Sequence, residues 1–146
     1  MSTVKKKYKK SICIACKTEE LSIIRDFVQF WAASYGFSQL DTNKITIAVD
    51  EVCSNLIKYG YKDIEGKEIC IKIEFIHKDF IINITDDAIP FDLTEKPAIN
   101  MDEYFEKFKK GGLGIHIVKS VMDEIKYYPS NSKDKKNTLR LTKQLL

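Results

Sequence analysis

Glu51 and Asn55 stand four residues apart in AVDEVCSNLIKYGY, Ala48 to Tyr61. On an α-helix that spacing projects both side chains from one face. Asn55 offers a neutral carbonyl oxygen of the kind that suits Mg²⁺, a hard cation that keeps waters and phosphates around it. Glu51, one turn earlier, can orient or deprotonate a hydroxyl or a water beside a terminal phosphate. The same pair also suits the solvated face of an ordinary amphipathic helix. Two further segments carry chemistry. Lys110-Gly111-Gly112-Leu113-Gly114 leads directly into a helical pattern, so free backbone N–H groups, a positive dipole end and a lysine can meet an anion. Glycine lets a backbone approach a phosphate where a side chain would obstruct it, although many glycine-rich helix starts are only tight turns. Asp86 closes an apolar strand, a poor place for an uncompensated carboxylate. It would be satisfied by the amino group of an adenine ring, or by capping the turn that follows.

The elements that position these residues follow from periodicity. Lys9 to Cys16 alternates polar and apolar as a first strand. Thr18 is a candidate cap for a helix with Glu19 and Glu20 in its first turn and with Leu21, Ile24, Phe27, Val28 and Trp31 as its buried stripe. Gly36 terminates it. Asp41 is the candidate cap of the second helix, whose stripe is Ile45, Ala48, Val49, Val52, Leu56 and Ile57 and which ends near Gly60. After the turn KDIEGK, Ile69–Ile76 and Phe80–Thr85 form a hairpin through the short connection HKD, with Ile69, Ile71, Ile73 and Phe75 on one face. Leu93–Lys110 is polar, with Pro97 and a short helical piece at Asp102–Phe108. A helix with Ile115, Val118, Val121 and Met122 inward follows, then strands at Ile125–Tyr128 and Thr138–Leu145. Strands clustered beside helices that cover one face give a two-layer α/β (α+β) sandwich, with a mixed, mostly antiparallel sheet.

Composition limits the function classes. Residues 1–146 read as one domain, long enough to bury a core. A hydrophobic fraction of 44% and a charged fraction of 31% are ordinary for a globular protein. No run of about 18 apolar residues spans a membrane, and the basic N-terminus has no apolar core behind it, so no secretory signal is read and a cytoplasmic location is expected. Lys5, Lys6, Lys7, Lys9 and Lys10 account for the net charge of +3. That arm, residues 1–8, is either a solvated terminus or a contact for an acidic partner. With Arg25 and Arg140 as the only arginines, no base-reading surface and no direct nucleic-acid contact are expected. Cys13 and Cys16 have metal-ligand spacing, but no second pair follows and His77 and His116 are distant. A zinc site needs about four ligands, so all four cysteines, with Cys53 and Cys70, are expected as buried thiols.

Taken in order, the segments E-V-C-S-N (Glu51–Asn55), D-D-A-I-P-F-D (Asp86–Asp92), G-G-L-G-I (Gly111–Ile115) and N-T-L-R-L (Asn137–Leu141) resemble the GHKL, or Bergerat-fold, ATP-binding family over nearly the whole chain. Within it the match is closest to the bacterial anti-sigma-factor serine/threonine protein kinases. The resemblance implies ATP and Mg²⁺ as cofactors, with Asn55 on the metal and Glu51 as the catalytic carboxylate. It implies that Asp86 holds the adenine amino group beside Ala88, with Thr138 helping from the last strand. Lys110, Gly111, Gly112, Leu113 and Gly114 would meet the phosphates, and Leu93–Lys110 would be an ATP lid. The implied activity is phosphorylation of a small anti-anti-sigma (STAS) protein, and the implied assembly a homodimer that holds a sigma factor inactive. The alternative is an ATP-binding module that sequesters its partner with little turnover. Ala88 stands where the adenine box usually has glycine, Tyr59 where many relatives carry histidine, and Lys110 where arginine is common.

Overall fold

The computed structural model describes residues 8–60, 66–87, 113–131, 133 and 135–146. Along the chain run β1 (Tyr8–Ala15), α1 (Leu21–Ser34), α2 (Gln39–Asn55), β2 (Glu68–Ile76), β3 (Asp79–Asp86), α3 (Leu113–Val121), β4 (Glu124–Tyr128) and β5 (Asn137–Gln144). The strands form one sheet in the order β1-β2-β3-β5-β4. Every pairing among the described residues is antiparallel, where a mixed sheet was the expectation.

The register explains why the sheet is one-sided. Ile12, Ile71, Ile84 and Leu139 lie directly across from one another, as do Ile73, Ile82, Leu141 and Ile125. Directly paired residues point to the same face, so these rows make one apolar surface. Against it pack Leu21, Ile24, Val28 and Ala32 of α1, Ile45, Ala48, Val49 and Val52 of α2, and Val118 and Val121 of α3, all buried. The other face carries the row Ser11, Lys72, Asn83, Arg140 and Lys126. Its Lys126–Glu124 ion pair, 3.6 Å and half-exposed, is worth no more than about 1 kcal/mol. Each fully buried isoleucine contributes roughly 1.5–3 kcal/mol. The inner rows therefore hold the two layers together.

Local chemistry sets the element ends, with two departures from expectation. Ser38, not Asp41, caps α2: its Oγ accepts the Asp41 N–H at 3.1 Å, which leaves Asp41 in the first turn. Thr18 does not cap α1. Thr18–Glu20 is a separate 3₁₀ turn, and the Glu20 carboxylate accepts the Ala15 N–H at 3.3 Å instead. Gly36 follows α1 with φ +108°, a conformation that glycine alone adopts cheaply. The β2–β3 hairpin turns at His77-Lys78, with Ile76 and Asp79 as its closing pair.

The cysteines differ most from expectation. Cys13 and Cys70 are directly opposed across β1 and β2 and form a disulfide. Odd-numbered positions of β1 face away from the helices, so this bond lies on the helix-free side, with Cys13 exposed. Only Cys16 and Cys53 are free thiols, and of these Cys53 is fully buried. No helix among the described residues is long and apolar enough to cross a membrane. The short helical piece at 102–108, the segment 93–110 and residues 1–7 lie outside the described residues.

Candidate functional site

The apolar stripe of α2 fixes which way its polar residues point. With Ala48, Val49, Val52 and Cys53 seated in the core, Glu51 is left partly exposed. Asn55 is 4% exposed, so this is no solvated face. Among the described residues the Asn55 Nδ2 has no hydrogen-bond partner. Leaving a buried donor unmade costs about 1–3 kcal/mol, a cost that packing alone gives no reason to carry. Directly after Asn55 the chain winds as a π-helix over Leu56–Gly60, a local form that recurs at functional sites.

The end of β3 comes near enough to the C-terminal part of α2 for the charge of Asp86 to act on Cys53. Asp86 is the last residue of β3, on the inner face and 3% exposed. The Asn137 Nδ2, its direct partner across β3 and β5, donates to Asp86 Oδ1 at 2.9 Å. The Asn137 Oδ1 in turn accepts the Ser130 N–H at 2.8 Å. Charge effects locate the carboxylate further. Burial, and then the charge of Asp86, push up the Tyr127 phenol on β4. Burial, and then Asp50 and Asp86, push up the Cys53 thiol on α2. Cys16, just past β1, is raised to about 11 by burial and then by Asp87, Asp86, Glu68 and Glu20. One buried carboxylate thus sits among neutral groups supplied by three elements. Asp87, next in the chain, pairs with Lys67 Nζ at 3.3 Å.

Of the residues singled out in the sequence, Glu51 and Asn55 lie one turn apart on α2, and the charge of Asp86 acts on Cys53 between them. Thr138 is not brought to Asp86. It pairs with Thr85, and strand alternation places it on the helix-free face. Asn137 takes the place expected for it. The signal was present in the period of two: Leu139 and Leu141 face inward, so position 137 does as well. Leu113 and Gly114 open α3 directly after the two glycines. Ala88, Lys110, Gly111 and Gly112 lie outside the described residues. No group of metal-binding side chains forms among the described residues.

The domain is thus an antiparallel sheet covered on one face by helices, with Asn55 of the second helix and Asp86 of β3 both buried. The chain belongs to the histidine kinase-like ATPase domain family, which matches residues 14–143. Within that family it is similar to the serine-protein kinase RsbW of Listeria innocua, at 29% identity over 119 residues, covering 79% of this chain and 76% of that protein. It is also similar to the serine-protein kinase RsbW of Bacillus subtilis, at 25% identity over 121 residues, covering 77% and 73%. Among solved structures, that of the RsbU and RsbW domains of Rv1364c from Mycobacterium tuberculosis superposes with a TM-score of 0.62 at 14% identity. It covers 94% of this chain, which spans about a third (32%) of that longer one. These relatives agree with the anti-sigma kinase branch indicated by the motifs.

Proposed function

We propose that this chain is an ATP- and Mg²⁺-dependent serine/threonine protein kinase. Its substrate would be a small anti-anti-sigma partner of the STAS type, and as a homodimer it would hold a sigma factor inactive. The observation that carries the reading is the buried Asn55 amide with an unpartnered Nδ2 among the described residues, one turn from Glu51. An amide has both a carbonyl acceptor and an N–H donor to satisfy. A metal-bound triphosphate satisfies both, the cation at Oδ1 and an anionic oxygen at Nδ2, so the residues fit the group. The names of the RsbW relatives support the kinase reading, and the motif resemblance supports the partners.

The roles of the chain's own residues follow from their chemistry. Asp86, held as an acceptor by Asn137, receives the adenine amino group and sets the position of the base. Asn55 holds the metal-bearing end of the nucleotide. Glu51, nearer solvent, accepts the proton of the incoming serine or threonine hydroxyl at its carboxylate. Bound Mg²⁺–ATP supplies the phosphoryl group and the charge neutralisation for its transfer. By the resemblance, Lys110 and Gly111 to Gly114 would serve the phosphates, lysine giving charge but no bidentate fork, and 93–110 would be the ATP lid.

Calorimetric titration with ATP and ADP, with and without Mg²⁺, tests the site. Micromolar binding that strengthens with Mg²⁺ is the expected result, and no binding under either condition overturns the assignment. A second reading, a nucleotide-bound module that sequesters its partner with little turnover, is favoured by Ala88 in place of the usual glycine. Transfer of label from [γ-³²P]ATP to a purified STAS-type partner separates the two.

A further inference from the structure

We infer that the Cys13–Cys70 bond is a reversible redox clamp on β1: a dithiol opens it in the folded protein, and its state sets the nucleotide affinity of the neighbouring site. The inference rests on the nucleotide-site reading above and adds regulation to it. The bond differs from a structural staple in where it lies. Both sulfurs are on the helix-free side of the sheet, with Cys13 exposed and Cys70 half-buried. A thiol in solution therefore reaches the Cys13 sulfur without the sheet opening, and exposed disulfides are the labile ones. Nor does the core depend on the bond. Ile14, Ile71, Ile84 and Leu139 are enclosed under the helices independently of the sulfurs, whereas domains that require disulfides are those too small to bury a core.

The exchange is confined to these two residues. The attacking thiolate forms a mixed disulfide with the Cys13 sulfur, the bond to Cys70 breaks, and Cys70 leaves as a thiolate that takes up a proton. The second thiol of the dithiol then displaces Cys13, so the protein gains two electrons and two protons and the reagent is left as a disulfide. Cys16 cannot intercept this step. It lies three residues beyond Cys13 along an extended chain, about 10 Å away, where a disulfide spans at most about 7 Å between Cα atoms. Burial, and then Asp87 and Asp86, also raise its thiol to about 11, which leaves little thiolate. Cys53 is fully buried.

The clamp and the site share one end of the sheet. Cys13, Cys70, Thr85 and Thr138 form one row across the strands, and Asp86 with Asn137 begins the next. The Thr85 hydroxyl donates to the Cys70 carbonyl at 3.4 Å. Past the bond, the Cys16 N–H donates to the Lys67 carbonyl at 3.0 Å, and Lys67 pairs with Asp87 at 3.3 Å. The end of β1 thus carries Cys16 into the field of Asp86 and Asp87. Released from its covalent tie, an edge strand opens more often at its end, and each opening takes Cys16 away from both carboxylates and from Lys67.

The test is calorimetric titration with ATP and Mg²⁺ of the oxidised full chain and of the same chain reduced with dithiothreitol. Iodoacetamide trapping and mass spectrometry read the redox state of each sample. Without denaturant, Cys13 and Cys70 are both expected to become alkylated after reduction, and ATP affinity to fall about fivefold or more, an effect that reoxidation reverses. The Cys13→Ser and Cys70→Ser double variant is expected to bind ATP at the reduced value and to ignore dithiothreitol. By linkage, saturating ATP raises the ratio of reduced to oxidised dithiothreitol needed for half-reduction by the same factor. That measurement uses the unaltered chain and keeps the test open if the double variant does not fold. A bond that only stabilised the fold would lower Tm on reduction and leave the affinity where it was. Equal affinity in the two states, or reduction that occurs only in urea, overturns the clamp and leaves the site standing. No nucleotide binding by either state overturns both.

Discussion

At the scale of single residues, Glu51 and Asn55 differ in burial, and the division of roles proposed for them rests on that difference. Asn55 is enclosed, and its amide has a donor that nothing among the described residues accepts. Glu51 is partly exposed. Asn55→Ala is therefore expected to abolish the Mg²⁺-dependent part of nucleotide binding, whereas Glu51→Ala keeps binding and loses phosphoryl transfer by about 10²-fold or more. Titration and label transfer on the two variants check this, and identical behaviour of both would remove the division of roles. The Cys16 thiol gives a second residue-scale expectation. It is raised from 9.0 to about 11 by burial first and then by Asp87, Asp86, Glu68 and Glu20. A folded pKa above the unfolded one means a stability contribution that is complete below about pH 9 and is lost as pH rises through about 11. Urea midpoints of the protein and of Cys16→Ser should thus diverge between pH 9 and 11, the unaltered protein losing more. Parallel curves would show that Cys16 is not held neutral by its surroundings.

At the scale of elements, β1 lies at one edge of the sheet, and among the described residues it pairs with β2 alone. The Cys13–Cys70 bond joins these two strands across 57 residues of chain. Closing a loop of that length restricts the unfolded chain by about 4 kcal/mol. Reduction, or the Cys13→Ser and Cys70→Ser double variant, is expected to lower Tm by on the order of 10 °C, with circular dichroism of the folded state retained because the inner rows are untouched. An unchanged Tm would mean the bond contributes nothing to stability. This bond also shows what the sequence could and could not convey. Alternation in Ile69–Ile76 and Phe80–Thr85 was enough to give the hairpin and its inward face, since each strand carries its own period of two. The pairing of Cys13 with Cys70 depends on the register between β1 and β2, which no local pattern encodes. The same limit produced Thr138 in place of Asn137: a shift of one position along a strand moves a side chain to the opposite face. At α2 the pattern pointed to Asp41 as the cap; Ser38 is a capping residue type as well, and only the chain direction before Gln39 selects between them. Glu51, Asn55 and Asp86 were legible because helical spacing and the end of an apolar strand are both local signals.

For the whole molecule, the candidate site ties together parts of the chain that are distant in sequence. Asp86 and Asn137 lie 51 residues apart, and Asn55 comes from a helix that packs between α1 and α3 on the other layer. A ligand held by β3, β5 and α2 together binds only the folded arrangement, so its binding free energy adds to the stability of the entire domain. At a hundred times its Kd it adds about 2.7 kcal/mol, which for a chain of this size corresponds to a rise in Tm of roughly 5–10 °C. ATP with Mg²⁺ should give the full rise, and ATP with a chelator a smaller one, because the base and its aspartate remain while the metal contact is lost. Asp86→Asn replaces an acceptor-only group by one that also donates, and should remove most of the rise with or without Mg²⁺. Asn55→Ala should make the two conditions equal. Thermal unfolding of the three proteins under the two conditions separates the layers: a rise in the unaltered protein that ignores Mg²⁺ would place the nucleotide on the sheet alone, and a rise that survives Asp86→Asn would place it elsewhere.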